Sequence, residues 1–180
     1  MFCYQCQETA RNEGCTVRGV CGKTEGVADL QDLLIFVLKG IGVWYQKLEG
    51  VASEHPLGED DFTPFALFAT ITNTNFSKKD LEGLVKEALE HREEVREAFE
   101  TAYQNEQGEE FTAAVPDAAV WRPSDTSELY EKSAEVGVLA TENEDVRSLR
   151  ELMTYGMKGI AAYLHHAQVL GKSGREITSF

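Results

Sequence analysis

Three features of the 180-residue sequence predict an all-α fold. Apolar residues recur at helical spacing through Leu30, Leu33, Leu34, Val37, Leu38, Ile41, Trp44, Tyr45 and Leu48. That is the stripe of a helix with one buried face. No segment shows the period-two alternation of a half-buried strand. Helix start and stop residues punctuate the chain at Ser77, Gly50 and Gly171. The expected architecture is a three-helix bundle, then the first long helix of a second, repeat-related bundle. A cysteine-rich loop precedes both.

That loop spans residues 1–23 and holds all four cysteines of the protein, Cys3, Cys6, Cys15 and Cys21. They read as one four-ligand site spaced C-x2-C-x8-C-x5-C. Three chemistries compete for it. Disulfides fit poorly: the first residues show neither the basic start nor the apolar core of a signal peptide, which places the chain in a reducing cytoplasm. Zinc is the second reading, but its structural sites favour two short knuckles, and Cys15 to Cys21 is wide for one. An iron–sulfur cluster spreads its ligands around a larger object and tolerates uneven spacing. Gly14, Gly19 and Gly22 let the backbone wrap and turn N–H groups toward sulfur. Arg11, Arg18 and Lys23 supply positive charge beside the thiolates. Phe2, Tyr4, Val17 and Val20 are candidates to shield the centre from water.

The first bundle is expected over residues 24–106. Thr24 suits an N-cap and Glu25 the first turn of a helix over about 26–49, with Gly50 as its stop. Residues 51–60, with Pro56 and Gly58, read as a loop. A second helix is expected over about 61–74, with Pro64 in its first turn and Phe65, Phe68 and Ile71 on one face. Ser77-Lys78-Lys79-Asp80 resembles a capping box and opens a third helix over about 78–105. Its apolar stripe runs from Leu81 to Tyr103. Glu93 and Glu97 are like charges four apart, so the buried stripe must hold this helix.

Residues 107–140 read as a linker with a short helix at about 126–135; Trp121 is expected to pin the polar stretch onto the bundle. Thr141-Glu142-Asn143-Glu144 has the form of a capping box for a last helix reaching about residue 170. Residues 141–180 then form the start of the second bundle, apparently cut short. The evidence for it is an internal repeat: residues 30–44 align without gaps on 149–163. Leu30/Leu149, Leu33/Leu152, Lys39/Lys158, Gly40/Gly159 and Ile41/Ile160 are identical. A mid-helix glycine costs about 1 kcal/mol against alanine. Its recurrence suggests close approach by a neighbouring helix. The stripe Leu149, Leu152, Met153, Ile160 and Leu164 is expected to pack on the first bundle or on a second copy of the chain.

Composition bounds the function. Hydrophobic residues make up 42% of the chain, enough for a packed core. A net charge of −14 argues against nucleic acid and against anionic membrane surfaces. No run is long enough to cross a membrane. The acidic surface suits steering toward a basic redox partner protein.

The run Met1–Lys23, followed by Val27–Ile35, Phe68–Asn73 and Gly137–Leu152, resembles the start of the hybrid cluster protein family, also called prismane proteins or hydroxylamine reductases. The resemblance covers essentially the whole chain in order. It implies a [4Fe–4S] cluster on the four N-terminal cysteines, where relatives with wider spacing carry [2Fe–2S]. It also implies two helical bundles in this region. The family reduces hydroxylamine to ammonia and is implicated in nitric oxide handling. That chemistry uses a second, hybrid 4Fe–2O–2S cluster, present only in the full-length architecture and held by cysteines, a histidine and glutamates beyond this region. No cysteine here is left for it, and His55, His91, His165 and His166 match none of its ligands. The resemblance thus implies an electron-relay cluster without the catalytic centre, so enzymatic activity belongs to the intact architecture. Two alternatives remain: a structural zinc or iron–sulfur helical interaction domain, and a C-x-x-C thiol pair, whose βαβ context is missing. For His165 and His166 near the end of the last helix, compensation of the helix dipole is the simplest expectation.

Overall fold

The long apolar run folds as α1 (Glu25–Glu49). Its Leu30, Leu33, Leu34, Val37, Ile41 and Leu48 side chains are fully buried, each contributing on the order of 1.5–3 kcal/mol. The molecule is seen in a computed structural model that describes residues 1–52, 57, 60–71 and 74–172. Among these the fold is all-α, with one isolated β-bridge between Cys3 and Cys15.

Around α1 lie α2 (Phe62–Ala69), α3 (Lys78–Gln107), α4 (Asp117–Val120) and α5 (Thr126–Glu135). The long helix α6 (Glu144–Val169) packs mainly on α2. The partner of α1 along its length is α3, whose Leu81, Leu84, Val85, Ala88, Val95 and Phe99 meet it in one core. Trp44, Phe99, Tyr103 and Phe111 form an aromatic cluster at the far end.

Several local expectations hold. Ser77 Oγ accepts from Asp80 N at 3.2 Å. The reciprocal half of the box comes from Asn75, whose Oδ1 accepts from Ser77 N. Gly108 ends α3 in a left-handed conformation. Past α6, Gly171 N donates to Gln168 O and Lys172 N to Ala167 O, a Schellman ending. Trp121 does pin its segment, meeting the Phe36 ring edge-on.

Others need correction. The second helix is shorter than 61–74: it stops at Ala69, and residues 72 and 73 lie outside the described set. Asp60 caps it, accepting from Phe62 N and Thr63 N. Thr24 is the N-cap of α1 as expected, but its side chain makes no cap bond. The box at Thr141–Glu144 does not open α6; Asn143 is the cap, accepting from Val146 N at 3.0 Å, and the helix starts two residues later than a Thr141 cap would place it. Glu93 is not left to repel Glu97. It is paired with Arg92, Arg96 and Arg122. His55, Pro56, Gly58 and residues 173–180 fall outside the described set.

The stretch before α5 contains α4, which sequence reasoning missed. Ala118 and Ala119 are buried on α1. A Cβ at Gly40 would lie 1.9 Å from Ala118 O, so only glycine admits this approach. Arg92, fully buried in α3, donates to Ala118 O at 2.9 Å and Trp121 O at 2.7 Å. Trp44 Nε1 donates to Ala119 O at 2.9 Å. The close neighbour foreseen for Gly40 is thus a one-turn helix. Its repeat mate Gly159 has no such neighbour among the described residues.

The first bundle covers the α6 stripe only at Leu164. Only Leu164 of that set is buried; Leu152 and Met153 are 70% and 69% exposed, and Leu149 and Ile160 also face solvent. The buried side of α6 is Lys158, Ala161 and Leu164. His165 stacks on Phe68 at 4.4 Å, and Gln168 Nε2 donates to Asp61 Oδ1 at 2.7 Å. Packing on α2, rather than the helix dipole, accounts for His165.

Candidate metal centre

The loop folds back on itself so that its first and third cysteines lie side by side. Cys3 N donates to Cys15 O at 3.1 Å and Cys15 N to Cys3 O at 2.8 Å. Between them a 3-10 turn at Ala10–Asn12 reverses the chain, with Arg11 and Asn12 at φ of 57° and 59°. Gly14 lies against the Phe2 ring, where a Cβ would sit 2.4 Å from the nearest ring carbon. Farther on, Gly19 N donates to Lys23 O and Gly22 N to Gly19 O, each at 2.8 Å. These bonds close the turn that carries Cys21.

All four predicted ligands are free thiols. Cys15 is buried, Cys3 and Cys6 are half-buried, and Cys21 is exposed. Cys6 lines an open cavity of about 740 Å³ between the loop and α6. Among the described residues, no three Cys, His, Asp or Glu side chains gather as a single metal ion requires. Val17 and Val20 do not shield the loop; both point into solvent. Phe2 and Tyr4 do pack together, with ring centroids 5.8 Å apart. Of the three nearby cations, Arg11 and Arg18 are exposed and Lys23 is buried. Lys23 Nζ lies 3.7 Å from Cys3 Sγ and 2.6 Å from Gln31 Oε1.

The loop rests on α1 and α6 through a polar floor that the sequence analysis did not single out. Tyr4 OH donates to Glu151 Oε2 at 2.8 Å, and Tyr155 OH donates to Gln5 O at 2.8 Å. The Gln5 amide accepts from Lys158 Nζ at 3.0 Å and donates to Thr70 O at 3.2 Å. Three α6 residues therefore hold the two residues between Cys3 and Cys6. Asp32 and Glu151, equivalent positions of the repeat, line the same small cavity beside Cys3.

Electrostatics in this floor are dominated by burial. Desolvation pushes the Asp32 carboxyl up to about 7, against the opposing pull of Lys158. It brings the Lys158 ammonium down to about 8, with Asp32 resisting. Burial and the bond to Glu151 raise the Tyr4 phenol, which stays protonated as a donor. The sequence carries no separate signal for the floor. Lys39 and Lys158 share a repeat position, yet the first is exposed and the second buried beneath the loop.

Four free thiols on a loop that its own turns and α6 hold in place are a suitable donor set for an iron–sulfur cluster. The buried Lys23 provides a cation at one sulfur. A cluster also asks for a wider spread of ligands than one ion does.

The sequence is similar to those of known proteins. The hydroxylamine reductase of Halothermothrix orenii is 53% identical over 182 residues, and that of Nitratidesulfovibrio vulgaris 51% over 180. The hydroxylamine reductase of Clostridium novyi is 50% identical over 182 residues. Each alignment covers 100% of this chain and 32% of the relative. The chain spans about a third of the length of these curated relatives. The description "Prismane/CO dehydrogenase family" fits residues 1–180, a range that takes in the cysteine loop, the floor beneath it and every helix. The chain belongs to that family.

Proposed function

We propose that Cys3, Cys6, Cys15 and Cys21 together hold a [4Fe–4S] cluster, and that this chain is the electron-transfer part of a hydroxylamine reductase. When bound, such a cluster supplies a one-electron relay. The observation that carries the reading is the loop itself. Four unpaired cysteines lie on one folded-back segment, and a buried lysine donates to one of their sulfurs. The relatives' names supply the reaction class, hydroxylamine reduction, and this chain spans about a third of their length.

The chain's own residues have defined parts. The cysteines ligate. Glu151 holds the Tyr4 hydroxyl, and Tyr155 and Lys158 hold the Gln5 backbone and side chain, which helps set where Cys3 and Cys6 point. Phe2 and Tyr4 limit water on one side. Burial moves the Asp32 and Lys158 pKa values toward one another in the floor below the loop. Free thiols of this kind suit a reducing cytoplasm. The net charge of −14 suits a basic electron donor.

Anaerobic purification followed by iron and sulfide analysis tests the reading. The expected content is about four irons per chain, with a broad visible band that bleaches on reduction. Cys15→Ser is expected to lower iron content while the helical circular dichroism persists. One zinc per chain, or iron content unchanged in Cys15→Ser, would overturn the assignment.

A further inference from the structure

We propose that Lys23 is a positioning residue for redox tuning: its buried ammonium, held by Gln31 against Cys3 Sγ, raises the reduction potential of the cluster. This rests on the cluster reading above. Lys23 is 1% exposed, and its partners are few and specific. Gln31 Oε1 takes one N–H at 2.6 Å, and Cys3 Sγ lies at 3.7 Å in another direction. Gln31 is itself buried and anchored, its Nε2 donating to Asn75 O at 3.3 Å. The Lys23 carbonyl accepts from Gly19 N, so the same residue closes the Cys21 turn.

A buried cation is costly unless negative charge faces it. Gln31 is neutral, and the sulfur within reach belongs to a proposed ligand. When the cluster takes one electron, its net charge becomes more negative by one. A cation fixed at ligand distance in a low-dielectric setting favours the reduced state more than the oxidised one. Arg11 and Arg18 cannot substitute for it, because charges in open solvent are screened. Asp32, whose carboxyl feels the Lys23 charge across the floor, tempers the effect.

Electrode titration of the iron-loaded chain under nitrogen, followed by electron paramagnetic resonance, tests the proposal. Lys23→Met is expected to lower the reduced-to-oxidised ratio at fixed potential about tenfold, equivalent to about 59 mV for a one-electron couple. Lys23→Arg should stay near the parent. Gln31→Met keeps the charge but frees it, and should fall between. Parent-like potential in Lys23→Met, or an equal shift in Lys23→Arg, would overturn the role. If Lys23→Met holds no iron, Gln31→Met decides, and a parent-like value there overturns it. Iron and sulfide content on the same samples separates the two claims. A parent chain without iron defeats the cluster reading, whereas loaded variants with unchanged potential defeat only the Lys23 role.

Discussion

Gly40→Ala should destabilise the protein, whereas Gly159→Ala, at the equivalent position of the internal repeat, should stabilise it. In an open helix, alanine gains about 1 kcal/mol over glycine. Gly159 has nothing within 4 Å of its would-be Cβ among the described residues, so it should realise most of that gain. At Gly40 the same methyl would meet Ala118 O at 1.9 Å and Ala118 C at 2.6 Å. These are backbone atoms, so α4 must move. Moving it breaks or strains the bonds from Arg92 to Ala118 O and from Trp44 to Ala119 O. A buried partner left unsatisfied costs about 1–3 kcal/mol, more beside a charge. Two such losses against the helix gain leave a net destabilisation of about 2–4 kcal/mol. At this chain length that is a fall in Tm of about 5–15 °C. Urea unfolding of the metal-free chain, followed by circular dichroism and Trp44 fluorescence, measures both variants. A Gly40→Ala variant as stable as its parent would refute the reasoning.

Two further outcomes are expected. His91 Nε2 lies 3.4 Å from Asp60 Oδ1. That bond raises the His91 pKa above its ordinary value. Burial works against ionised Asp60, yet His91 and Thr63 hold its carboxyl below the ordinary value. The histidine contribution is complete below its unfolded pKa and lost as pH rises through the raised one. The Asp60 contribution is present above its unfolded pKa and lost as pH falls through the lowered one. The stability lost in His91→Gln should therefore be largest at about pH 4–6.5, between the unfolded pKa values of the two groups, and shrink in alkali; equal losses by urea unfolding in mild acid and in alkali would contradict the pairing. The exposed α6 face of Leu149, Leu152, Met153 and Tyr163 should make the isolated chain self-associate. Leu152→Lys with Met153→Lys should return it to monomer in sedimentation velocity, and a parent that is monomeric at every concentration would count against that contact.

The helices were legible because periodicity reports which side of a helix is buried, and α1 and α3 follow it almost residue by residue. The α6 stripe shows where that signal stops. An apolar face says that something covers it, without saying whether the cover belongs to the same 180 residues. The four-residue α4 carries too few positions for periodicity, and its mark is indirect: the glycine at position 40 that receives it. In the loop, the ligand candidates were legible from their count and spacing. The floor was not, because Tyr4, Gln5, Asp32, Glu151 and Lys158 are common polar residues that only the tertiary fold brings together. Lys23 was counted with Arg11 and Arg18, since sequence alone does not separate a buried cation from solvated ones.

Arg11 sets a cost on the bend that carries the cysteines. Its left-handed backbone, φ 57° and ψ 18°, sits inside the cysteine loop, and for a residue with a Cβ that shape costs about 1–2 kcal/mol. The surrounding turn holds it there through Asn12 N on Thr9 O and Glu13 N on Ala10 O. Arg11→Gly would remove that cost and should tighten the turn without altering the helices behind it.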